Sequence, residues 1–153
     1  MIDTENLFIL RFFGDNISPK TFTAKELGKL LISLEDSILS IIEDRYLDVS
    51  KDEVRISLVQ IEDKSESLGF YYGENKDIKN CIEQFCRAID NDSQLSLPRP
   101  ARDGIKNIID LSKKKNCNAE FKQGNQLLSN ITPDTKFIKE DSLYLKVDCT
   151  IYG

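Results

Sequence analysis

The sequence predicts an α+β domain: a largely antiparallel sheet carrying one long and two shorter amphipathic helices. Three observations lead there. Apolar residues recur at helical spacing in three separate stretches, the longest opening on a capping signature at Thr23. Two neighbouring strand-like segments, around 54–61 and 68–72, can pair back as a hairpin. The resulting order, β-α-β-β-α-α-β-(β)-β, contains no repeated βαβ unit of the kind a parallel sheet needs.

The first strand is the apolar run 7–13, broken only by Arg11 and bounded by Gly14-Asp15-Asn16; it reads as a central strand covered on both faces, or nearly so. Thr23-Ala24-Lys25-Glu26 is a capping box, with Phe22 and Leu27 placed to form a hydrophobic staple. Leu27, Leu31, Leu34, Ile38, Ile41 and Ile42 then keep a helical period, predicting one long helix over 24–46. Val54, Ile56 and Leu58 alternate as a strand, and the phase slips at Leu58-Val59, which predicts a β-bulge. Leu68, Phe70 and Tyr72 form the returning strand.

Ile78, Cys81, Ile82, Phe85 and Ile89 give a second helix over 76–89, ended by Asn91-Asp92-Ser93. Pro98 and Pro100 suit the first turn of a third helix, and Lys113, Lys114 and Lys115 suit its last. A strand follows at 118–122, then a turn at Gly124-Asn125 and a weaker return over 127–131. The segment 143–151 alternates without fault and is expected to be a half-buried strand. Gly28 and Gly104 fall inside helices, where each costs about 1 kcal/mol against alanine, so close packing of a neighbouring element is expected at both.

The 153 residues suit a single domain, 1–153, able to bury a sizeable core without disulfides or metal. Histidine is absent, which removes the Ser-His-Asp triad, the Cys-His dyad, His metal ligands and imidazole acid–base chemistry. No Cys-x-x-Cys pair occurs among the four cysteines, and the glycines come singly, without either nucleotide-binding fingerprint. The thiols read as buried and inert, with Cys117, just after three lysines, the one with a local reason for reactivity. Adjacent carboxylates such as Glu35-Asp36 and Glu43-Asp44 read as solvated surface. No signal peptide or membrane span is visible, and the expected compartment is the cytoplasm. No cofactor or metal is expected.

The net charge of −5 hides an asymmetry. Residues 96–122 hold seven basic and three acidic side chains, a local +4 that leaves −9 on the rest. Within that window Arg99 and Arg102 share a face at the start of the third helix, with Lys106 a turn further on; together they are the candidate anion site. Pairing of these arginines with the acidic remainder is the structural alternative. Tyr144, Lys146 and Tyr152, on the polar face of the last strand, are the candidate partner surface, and that strand could pair with a second copy to form a homodimer.

The strand Leu10-Arg11-Phe12-Phe13-Gly14-Asp15, the capped helix through Leu27 and Ile42, the hairpin, the Leu97-Pro98-Arg99 helix start and the closing Thr150-Ile151-Tyr152-Gly153 together resemble the N-terminal region of a bacterial protein family of unknown function. That resemblance implies a chain that is the N-terminal part of a longer protein, continuing into a small β-domain. It implies no activity and no functional residue.

The functional expectation is therefore a non-catalytic binding or scaffolding module whose partner is another protein or its own C-terminal domain. Nucleic acid is the less expected partner. Phosphate or nucleic-acid recognition through 96–122 is one alternative; a histidine-free carboxylate or Mg²⁺-dependent enzyme is the other.

Overall fold

A computed structural model describes residues 7–15, 17, 20–46, 57–62, 66–72, 76–90 and 92–138. In chain order these form β1 (Leu7–Phe13), α1 (Ala24–Arg45), β2 (Ser57–Glu62), β3 (Glu66–Tyr71), α2 (Lys76–Asp90), a 3-10 turn (Asp92–Ser96), α3 (Arg99–Lys115), β4 (Asn118–Gln123) and β5 (Gln126–Ile131). The architecture is α+β, and every strand pairing is antiparallel, in the order β2-β3-β1-β4-β5. The expected final strand at 143–151, with Tyr144, Lys146, Cys149 and Tyr152, lies outside the described residues, as do Val54, Arg55 and Ile56.

β1 takes the middle of the sheet, as its near-continuous apolar run predicts. Phe8, Leu10 and Phe12 point into the core at 2 % exposure or less, while Ile9, Arg11 and Phe13 on the other face are half-buried. Its partners continue that alternation: Leu10 stands opposite Leu68 on β3 and Phe121 on β4. Aromatic contacts tie the layers together. Phe8 stacks on Phe121 at 5.1 Å, Phe85 of α2 meets Phe121 edge-on at 6.0 Å, and Phe12 packs on Phe22 at 4.9 Å.

The bulge anticipated at Val59 is present: the β2–β3 register shifts between Leu58 and Gln60. The return strand after Gly124-Asn125 is a full six-residue partner of β4 rather than a weak one. Gly124 supplies the left-handed backbone of the turn, at φ 58°, and its amide donates to the Leu7 carbonyl.

α1 begins as its sequence dictates. The Thr23 hydroxyl accepts from the Glu26 amide at 3.1 Å, and the Glu26 carboxylate accepts from the Thr23 amide at 2.9 Å. α3 ends on Asn116 in the left-handed conformation, its amide donating to the Lys113 carbonyl. After α2 ends at Asp90, the chain is held closely on its way to α3. It winds a 3-10 turn, and Gln94, 2 % exposed, becomes a clamp. Its side-chain amide donates to the carbonyls of Ile89 and Lys136, and its carbonyl accepts from the Ile138 amide. A buried amide must be satisfied on both ends, so the clamp holds residues 136–138 against α2.

The two helical glycines differ. Gly104 faces α1 so closely that a Cβ there would lie 3.2 Å from Ser37 Cβ and closer still to Ser37 Oγ, which is the close packing expected. At Gly28 nothing lies within 4 Å of the Cβ position, so no neighbouring element requires a glycine there, and that expectation fails.

Candidate functional site

α1 and α3 make the most extensive contact between helices in the fold, and the groove along their outer surface is the feature best placed to meet a ligand. Small residues let the helices approach at its centre, where Ser37 and Gly104 touch. Asn107 Nδ2 donates to Ser33 Oγ across the groove at 2.9 Å, fixing the helices' register. One end is a hollow of about 450 Å³ bordered by Lys29, Ile32, Asp36, Arg99, Pro100 and Asp103. The other is a smaller hollow of about 250 Å³ between Glu26, Lys29, Leu111 and Lys114. At the rim, Ile32 is 65 % exposed, the most exposed large apolar side chain among the described residues.

Charges around the groove fall into two groups. Glu26 is fully engaged: Lys115 reaches one carboxylate oxygen at 2.9 Å and Lys114 the other at 3.0 Å. The Thr23 amide, then Lys115 and Lys114, hold its carboxyl at about 2, below the ordinary 4.5. Lys106 pairs with Asp110 one turn on, at 3.4 Å, and Lys122 lies 3.6 Å from Glu120. Four of the seven cations in the 96–122 window thus stand beside carboxylates. In contrast, Lys25, Lys29, Glu35 and Asp36 on the outer face of α1 are exposed and hold no ion pair among the described residues.

Arg99 is exposed and lines the larger hollow; Arg102 is half-buried and does not. Lys106 is turned to Asp110 rather than to either arginine's task. The start of α3 has few amides to offer an anion: Pro98 and Pro100 carry no N–H, and the amides of Ala101 and Arg102 both donate to the Pro98 carbonyl. The ridge α1 contributes to the groove was missed in the sequence, where its charges read as wet surface. The signal for it was Ile32, an apolar residue out of phase with the buried stripe.

The cysteines hold no exposed nucleophile among the described residues. Cys81, Cys86 and Cys117 are free and buried. Burial pushes the Cys81 thiol up to about 12 and Cys86 far above its ordinary range. Cys117 is also raised by burial, against the weaker opposing pull of Lys115, so the reactivity its flanking lysines suggest is overridden. Among the described residues no group of three or more Cys, Asp or Glu side chains gathers to hold a metal ion, and no helix is long and apolar enough to cross a membrane.

Comparison with protein-family models, with curated proteins and with solved structures finds no match to this chain.

Proposed function

We propose that this chain is a non-catalytic binding module that holds a protein partner along the groove between α1 and α3. The observation that carries the reading is Ile32, an exposed aliphatic side chain at the rim of an open hollow and flanked by Lys29 and Asp36, which hold no ion pair among the described residues. An exposed aliphatic side chain beside an open hollow, with charged groups around it, offers a partner both an apolar anchor and polar rim contacts. Anion recognition through 96–122 has less support, because four of its seven cations stand beside carboxylates.

A photo-crosslinking amino acid placed at Ser33 or Asn107, in the chain expressed in its own cell, tests the reading. Discrete protein adducts at both positions, and none from the same probe at Gln126 on β5, are expected. Absence of protein adducts at both groove positions would refute it. Salt-sensitive retention on immobilised polyanion, abolished by Arg99→Ala with Arg102→Ala, would favour anion recognition instead.

A further inference from the structure

The charges on the outer face of α1 are sorted by sign along the helix. Lys25 and Lys29 lie in its N-terminal half and Glu35 and Asp36 beyond its middle, all exposed, with Ile32 between them. Glu26 and Arg45 stand in the end turns where the helix dipole favours them, but Lys29, Glu35 and Asp36 lie too far from either end for the dipole to sort them. Neither the dipole nor an ion pair among the described residues accounts for the order of this stripe. The hollow beside it is open, and the stripe's charges hold no ion pair among the described residues.

We propose that the occupant of this face is a second copy of the same chain, forming a twofold dimer with α1 antiparallel to its mate and the axis passing by Ile32. This rests on the binding-module reading above and names its partner. A twofold interface requires a surface complementary to itself, and a helix basic on one side of an apolar residue and acidic on the other meets that condition when antiparallel. With a rise of about 1.5 Å per residue, Lys29 lies about 4.5 Å to one side of Ile32, and Glu35 and Asp36 about 4.5 and 6 Å to the other. Rotation about the axis brings Lys29 opposite both carboxylates of its mate, and the reciprocal contact forms at the same time. The two Ile32 side chains meet at the centre, beside the hollow walled by Pro100.

The test is the oligomeric state of the full chain by sedimentation equilibrium in low salt. The wild type is expected to dimerise and to weaken as salt rises. Ile32→Lys is expected to be monomeric. Lys29→Glu turns four attractive contacts repulsive and Asp36→Lys two, and each should weaken self-association about tenfold or more. Mixed together, these two variants should form a heterodimer, because position 29 of each then opposes position 36 of the other with opposite charge, which neither variant achieves with its own copy, and only one 29–35 pair stays repulsive. Unchanged circular dichroism checks that each variant folds. A monomeric wild type at about 100 μM, a dimer that survives Ile32→Lys, or a mixture that stays monomeric would each overturn the proposal. Protein adducts other than the chain itself at Ser33 would then leave the binding-module reading standing; no adducts would end both.

Discussion

Replacing Gly104 with alanine adds one methyl group at the place where α3 presses on α1. The new Cβ falls 3.2 Å from Ser37 Cβ, 3.4 Å from Phe85 Cε1 and well inside contact distance of Ser37 Oγ. That hydroxyl is fully buried, donates to the Ser33 carbonyl at 2.6 Å and lies 3.3 Å from the Pro100 carbonyl, so moving aside breaks its hydrogen bonding. In a solvated helix the change would gain about 1 kcal/mol of helix propensity. Here overpacking costs about 1–3 kcal/mol and a displaced buried hydroxyl about 1–3 kcal/mol more. The net is about 3 kcal/mol of lost stability, or a Tm lower by about 6–12 °C for a chain of this length. Thermal unfolding followed by circular dichroism measures it. Gly28→Ala is the internal control: its Cβ meets nothing within 4 Å, so about 0.5–1 kcal/mol is gained and Tm rises. Adding Ser37→Ala to Gly104→Ala should cost less than the two separate losses combined. A Gly104→Ala variant as stable as the wild type would refute the claim that this contact sets the helix spacing.

Thr23→Ala removes the α1 cap and should cost about 1 kcal/mol, read as a lower denaturant midpoint at unchanged slope. Glu26 has a folded pKa of about 2, below its unfolded value near 4.5, so the stability it contributes is complete above pH 4.5 and is lost as pH falls toward 2. The Tm advantage of wild type over Glu26→Gln should therefore be steady at pH 6 and close by pH 2; a constant gap would contradict the hold of the Thr23 amide, Lys115 and Lys114 on this carboxylate. Cys81, Cys86 and Cys117 should resist maleimide at pH 8 in the folded protein and label in guanidinium, with the sites assigned by mass spectrometry; fast native labelling of Cys117 would show its burial to be wrong.

Local signals carried much of this fold. The capping box at Thr23, the helical period of α1, the phase slip at Val59 and the pair of prolines opening α3 each state a local preference that the tertiary structure keeps. What escaped notice depends on distant neighbours. The glycine at position 104 and the glycine at position 28 look alike in sequence, and only the arrival of Ser37 separates them. Gln94 becomes a clamp only because Lys136 and Ile138, more than 40 positions on, come back to meet it. Lys114 and Lys115 suit a helix end by sequence, but their partner Glu26, far back in the chain, is visible only in the fold. The α1–α3 groove could be hinted at by a single out-of-phase isoleucine, but its walls come from residues that meet only after folding.

The central place of β1 has a kinetic consequence. The first of the described strands is the one that needs partners on both sides, and its Arg11–Glu120 contact spans 109 positions. The β2–β3 and β4–β5 hairpins are local and can form early; the join between them waits for β1 and β4 to meet across that separation. The entropy of closing so long a loop falls on the rate-limiting step, so folding should be slow for the size of the protein. Until β4 arrives, β1 stands with one edge bare, and that interval is when the chain is most open to misassociation.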